Sequence, residues 1–320
     1  MNYIETYFYW IYENHIIIKP IVKFRLDDIL SSIKVNITKL SFSDVNDISG
    51  FLFYTNLDSN FVSNVDNMIT NDYVHNKIID NYTILVRNTF NNCVDNFPNS
   101  LKYLMFNEIF NCLVENLPQS LEKLIFSWEF NKPVNNLPLN LQELVLGHKF
   151  NKSVDILPST LILLKFGFCF NKYVDDLPYG LKKLFFGREF NKSVDNLPNT
   201  LTHLYFSEKF SQTINNLPPS IIWLCLGENF NHSLDNLPSM IEKLIFLMSG
   251  KKDFSYSSYS FDNLPNSINQ IVLPICYDLK INNIPSSLKT IFCSEKYLCD
   301  YSDEYPNINV TKYGNNFYYL

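Results

Sequence analysis

The side chains able to do chemistry are scattered. Seven cysteines stand at Cys93, Cys112, Cys169, Cys225, Cys276, Cys293 and Cys299, and five histidines at His15, His75, His148, His203 and His232. A metal centre or a redox pair needs ligands at short fixed spacing, such as C-x-x-C, and no pair of these cysteines has it. Cys293 and Cys299 with Asp300 and Asp303 form a loose group that reads as terminal capping residues rather than ligands. An odd, dispersed set of thiols fits a reducing compartment better than a disulfide framework, so a cytoplasmic chain is expected. The sequence holds no G-x-S-x-G, G-x-G-x-x-G, P-loop or H-E-x-x-H. The expectation is therefore no enzyme, no cofactor and no metal.

The regularity that does exist is of another kind. Pro98, Pro118, Pro138, Pro158, Pro178, Pro198, Pro218 and Pro238 follow one another at intervals of 20 residues. Phe90 through Phe230 and Leu104 through Leu244 keep the same period. The unit is F-N-x-x-V-D-N-L-P-x-S-L-x-x-L-x-F-x-x-x. Register held through eight units is the signature of a repeat architecture.

Each unit has two halves. L-x-x-L-x-F, as in Leu121, Leu124 and Phe126, ends in period-2 alternation, which predicts one short strand with one buried face. F-N-x-x-V-D-N-L-P is rich in turn formers, and its proline must sit where no ladder hydrogen bond is needed. Twenty residues leave no room for a strand and a full helix. The apolar side chains of one unit cannot offset the entropy of ordering it. Units must stack, strand on strand, into a mainly β, parallel-strand solenoid with capped ends.

The composition agrees. The chain has no alanine and three arginines, with hydrophobic residues at 46% and aromatics at 16%, so it can bury a core and leans toward strands. Asp and Glu (32) outnumber Lys and Arg (26), which argues against a nucleic-acid partner. No apolar run of about 18 residues offers a membrane span, and Met1 to Pro20, with Glu5 and Glu13 and no basic start, does not read as a signal peptide.

Four stretches are expected. Residues 1–36 form a cap, with Leu26, Ile29, Leu30 and Ile33 spaced for a short amphipathic helix. Residues 37–89 are degenerate repeats, with a strand half at Ile37 to Phe42 and a turn half at Phe61 to Ile69. Residues 90–249 are the eight regular units. Residues 250–320 hold irregular repeats: Pro265 follows Pro238 by 27 residues, so an insertion bulges within 250–260, and a last strand follows Pro306.

Strand positions that point outward make two columns on the expected concave face. One runs Met105, Ile125, Val145, Lys165, Phe185, Tyr205, Cys225, Ile245 and Val272. The other runs Tyr103, Lys123, Glu143, Leu163, Lys183, His203, Trp223, Lys243 and Gln270. Solvated strand faces are usually polar, and this one is not. Leu163, Phe185, Tyr205, Trp223 and Cys225, rimmed by Lys165, Lys183 and His203, are predicted to cluster as a protein-binding patch. Self-association and plain β-propensity are the competing explanations. A lysine column (Lys132, Lys152, Lys172, Lys192) and an acidic column (Asp155, Asp175, Asp195, Asp235) read as solvated turn residues, and the asparagines after the repeat Phe as hydrogen-bonding the turns. The sequons at Asn151, Asn191 and Asn231 are by-products of that repeat.

Phe-Asn-x-x-Val/Ile followed by Leu-Pro-x-Ser-Leu-x-x-Leu resembles the FNIP repeat of social amoebae and giant amoeba-infecting viruses, over about 85–310. It is also similar to short leucine-rich repeats of bacterial effectors. The resemblance implies a leucine-rich-repeat-like solenoid for protein interaction, located in host cytoplasm if viral. Some relatives resemble F-box fusions, which would imply a ubiquitin-ligase adaptor. Leu26-Asp27-Asp28-Ile29-Leu30 echoes an F-box start without its proline, and the strand pattern by Ile37 leaves little room for its helices. A structural or virion assembly component is the third reading.

Overall fold

The computed structural model describes residues 4–12, 15–24, 39–42, 77–80, 83–85, 97, 101–106, 109–126, 128–247, 261–274, 277, 280–295 and 305–313, the first five segments as backbone only. It is a β structure with two sheets. The smaller has three strands, β1 (Ile4–Tyr12), β2 (His15–Phe24) and β3 (Lys39–Phe42), in that order. The larger begins with β4 (Lys77–Asp80), β5 (Thr83–Leu85), β6 (Tyr103–Met105), β7 (Lys123–Ile125) and β8 (Glu143–Val145). It continues through β9 (Leu163–Lys165), β10 (Lys183–Phe185), β11 (His203–Tyr205), β12 (Trp223–Leu226) and β13 (Lys243–Phe246). It ends with β14 (Gln270–Val272), β15 (Thr290–Ser294) and β16 (Asn309–Tyr313), and these 13 strands lie side by side in chain order.

From β5 onward every neighbouring pair is parallel. Leu184 pairs with Leu164 on one side and Leu204 on the other, each 20 residues away. The register lengthens only between β13 and β14, where Leu244 meets Ile271. That step matches the 27-residue interval between prolines, and residues 250–260 themselves lie outside the described set. So do the predicted helix over Leu26 to Ile33 and the turn half at Phe61 to Ile69. No helix occurs among the described residues.

Two features depart from the repeat. β4 pairs antiparallel with β5, because two residues separate them and a parallel return needs a dozen or more. β1 and β2 form a second such hairpin, in which the partner of Thr6 is Val22 and that of Tyr7 is Lys19. Pro20, which has no N–H to give, sits in the resulting bulge. β3 forms where a strand half was expected but pairs with β2, in the smaller sheet, rather than with the stack.

The core lies on the inner side of the strands. In the unit 164–181, Leu164, Phe166, Phe170, Val174, Leu177 and Leu181 are all buried, and the same slots are buried in the neighbouring turns except at the half-buried Leu157. The rings form two ladders. Phe110, Phe130, Phe150, Phe170, Phe190 and Phe210 succeed one another at 6.1 Å with nearly parallel planes. Phe166, Phe186 and Phe206, nearer the strands, succeed at 5.5 Å. Hydrogen-bonded strands lie about 4.8 Å apart. Pure translation would move every side chain by one distance, so a step that grows away from the strands requires a rotation between turns about an axis on the strand side. The strand face is the concave one.

The same fanning explains the asparagines. Near the strands, turns are joined by backbone bonds such as Glu122 N–H to Lys102 O at 2.8 Å and Lys149 N–H to Trp128 O at 2.9 Å. Past the repeat Phe the turns stand too far apart for that, and a side chain spans the gap. The Asn131, Asn151, Asn171 and Asn191 N–H groups each donate to Oδ1 of the asparagine 20 residues earlier, at 2.9–3.1 Å. Ser211 N–H continues the chain onto Asn191. The hydroxyls two residues after the proline, as in Ser220 to Leu201 O at 2.6 Å, and the turn closed by Leu181 N–H to Pro178 O at 3.1 Å, fix the other corner. Asn171→Ala strands the Asn191 N–H and is expected to lower stability by about 1–3 kcal/mol, whereas Asn171→Asp keeps the acceptor and most of the stability. Urea unfolding of the pair checks this; equal losses would remove the ladder from the account.

Candidate functional site

Because side chains alternate along each short strand, the middle residue points into the core and its two neighbours point out. Parallel pairing at 20 residues then aligns Leu163, Lys183, His203, Trp223 and Lys243 in one row, and Lys165, Phe185, Tyr205, Cys225 and Ile245 in the next. The predicted residues are therefore neighbours. Phe185 meets Tyr205 at 6.0 Å and Trp223 edge-to-face at 6.3 Å, and His203 lies 5.5 Å from Trp223. Leu163, Lys183, Phe185, His203, Tyr205 and Trp223 are half-buried, and Lys165 is exposed.

Cys225 corrects the prediction. It is 1% exposed and belongs to a second small core with Ile245 and Val272, against which Tyr205, Trp223, Leu247 and Phe292 pack. A short thiol between larger apolar neighbours in register is closed over, so it supports the patch rather than lining it. Burial pushes its thiol well above the ordinary range.

The rings sit among cations. Lys123 is neutralised by Glu143 at 2.5 Å, but none of the ion pairs among the described residues involves Lys165, Lys183 or Lys243. Burial, then the charges of Lys183 and Lys243, hold His203 below the usual histidine range. Partial desolvation lowers the Lys165 ammonium, and burial, then Cys225, raises the Tyr205 phenol.

A second column escaped the sequence reading. Two residues before the repeat Phe, Trp128 stacks on His148 at 3.8 Å, His148 on Phe168 at 4.6 Å, and Arg188 lies 5.2 Å from the Phe168 ring centre while pairing with Glu208 at 2.5 Å. Burial, then the Lys149 charge, lowers the His148 pKa against the opposing pull of Glu129. Each member is a different residue type, so only aligning the units and reading down that slot would have found it.

The turn-half columns stay at the solvent side. Asp155, Asp175, Asp195 and Asp235 are exposed. Asp175 and Asp195 accept from Asn196 and Asn216 of the next turn, both at 3.1 Å. Ser233 and Asn263 hydrogen bonds lower the Asp235 pKa. Lys192 packs over the Tyr173 ring at 5.3 Å. No group of three His, Cys, Asp or Glu gathers as a metal site among the described residues, and no described helix is long and apolar enough to cross a membrane.

A curved stack of 20-residue turns with an inner row of strands is a leucine-rich-repeat-like solenoid. The chain carries FNIP repeats: the FNIP Repeat family model matches residues 90–129 and 170–209. Among solved structures it is similar to CroV588, described as a novel circular LRR protein, at 32% identity and a TM-score of 0.58 over 71% of this chain and 39% of that one. It is also similar to YopM from Yersinia enterocolitica WA-314, at 18% identity and a TM-score of 0.31 over 69% of this chain and 59% of that one. The chain thus spans about two fifths of CroV588 and three fifths of YopM. No curated protein matches.

Proposed function

We propose that this chain is a non-enzymatic interaction module that holds a partner polypeptide on its concave strand face, with Phe185, Tyr205 and Trp223 as anchors. The observation that supports it most is the mutual contact of three half-buried rings on a face fixed by backbone hydrogen bonds. Aromatic anchors on a rigid frame lose little entropy on binding, and residues of this kind dominate interface energies. A repeat core spreads its side chains along a line rather than gathering them into a reacting pocket, which supports binding over catalysis. The same proposal puts the protein in a reducing, cytoplasmic setting, in keeping with the free thiols of Cys169 and Cys225.

The test is affinity capture from the native host cell with the parent chain and with F185S/Y205S/W223S, after circular dichroism has shown both folded. Loss of the captured partners from the triple variant is expected, and an unchanged set would refute the reading. Ligase scaffold proteins retained by the triple variant would point instead to an adaptor working through another surface. Concentration-dependent multimers with no other partner would point to an assembly component.

A further inference from the structure

We infer that the segment bound on the concave face is acidic: an extended stretch of about six residues with an apolar anchor between carboxylates. The inference rests on the proposed function and adds the chemistry of the occupant. The chain as a whole carries a formal charge of −6. Its concave face has the opposite sign. Across the outward positions of β6 to β14 the charged residues are Lys123, Glu143, Lys165, Lys183 and Lys243, and the first two cancel at 2.5 Å. Among the described residues, these three remaining lysines have no carboxylate in ion-pair range, so their charge on this face is not cancelled.

Their placement follows the rings. Lys165 is the register partner of Phe185, and Lys243 of Trp223, while Lys183 stands between Leu163 and His203. Lys165 and Lys243 are four strands apart, roughly 19 Å at 4.8 Å per strand, which an extended peptide covers in about six residues at 3.3 Å each. An apolar side chain seated on Phe185, Tyr205 and Trp223 would therefore have acidic neighbours within reach of a lysine on both sides. A concave wall with apolar groups strengthens such pairs relative to open water.

A single-stranded nucleic acid is the other polyanion that aromatic rings and lysines can hold. The rings argue against it. Phe185 lies edge-on to Trp223 at 6.3 Å and tilted to Tyr205 at 6.0 Å, so they pack on one another and leave no slot in which a base would stack.

The experiment is selection of a random 12-residue peptide library, displayed on phage, on the full chain, on K165Q/K183Q/K243Q and on F185S/Y205S/W223S, with dT12 binding measured alongside. The parent should enrich peptides carrying an aromatic or large aliphatic residue flanked by Asp or Glu. The lysine variant should lose the acidic bias and bind the selected peptides about tenfold more weakly. The aromatic variant should enrich none of them. Enrichment that depends on the rings but shows no acidic bias, or a bias that survives in the lysine variant, overturns the inference and leaves the binding face standing. Enrichment indifferent to the rings overturns both. No enrichment, or dT12 bound as tightly as the selected peptides, overturns the acidic-peptide assignment.

Discussion

Phe170→Ala is expected to lower the stability of the solenoid by about 3–5 kcal/mol. Phe170 is fully buried, stacks on Phe166 at 3.7 Å within its own turn, and lies 6.1 Å from Phe150 and from Phe190 in the turns either side. Removing it takes away contacts in three turns at once. The surrounding turns are tied by backbone bonds at both edges, including Cys169 N–H to His148 O and Glu189 N–H to Phe168 O, both 2.9 Å, so they cannot collapse far into the void. In a stack where each turn touches only its neighbours, the loss falls on two adjoining interfaces and weakens coupling between the two halves of the array. Urea unfolding followed by circular dichroism should show a lower midpoint, with the transition splitting into two steps. A loss no larger than that of Lys172→Ala, an exposed control two residues further along the chain, would rule out the shared core.

Gly187→Ala is the second, and it fails for want of space rather than of backbone freedom. A Cβ at Gly187 would lie 1.8 Å from Gly167 O and 2.4 Å from its carbonyl carbon, so one turn must move off the next. The movement strains the nearby link between Glu189 N–H and Phe168 O. Overpacking of this kind costs about 1–3 kcal/mol. Gly180→Ala is the control, since there the nearest atom is Ser159 O at 3.1 Å and a small shift suffices. Thermal unfolding of the two variants should rank Gly187→Ala well below Gly180→Ala, and equal stabilities would mean the turns are not so tightly nested.

What was legible in the sequence is what recurs. Pro178 and its equivalents, Leu184 and Phe190 repeat by type, so the period, the strand and the inward face could be read before any coordinates. The asparagine ladder was legible for the same reason, because Asn151, Asn171 and Asn191 fill one slot. The stack of Trp128, His148, Phe168 and Arg188 was not, since no type repeats and the contact exists only once the turns are aligned. Cys225 was misplaced because alternation tells which way a side chain points and not how it is packed; it is buried in one cluster with Ile245 and Val272 of the next two strands. The hairpins β1–β2 and β4–β5 lie where the period fades, and local pairing there is set by loop length instead.

The fanned ladder of rings has a further consequence. From the Phe110 turn to the Phe210 turn the rings keep one step of 6.1 Å and the joints repeat the same kinds of backbone bond, so duplicating or deleting one 20-residue module there leaves the remaining joints of the same kind. Such an edit changes the arc by a single fixed increment. Span and bend of the inner surface are then adjustable in whole steps, with no redesign of the seams, and a binding arc can be fitted to its target by module count alone.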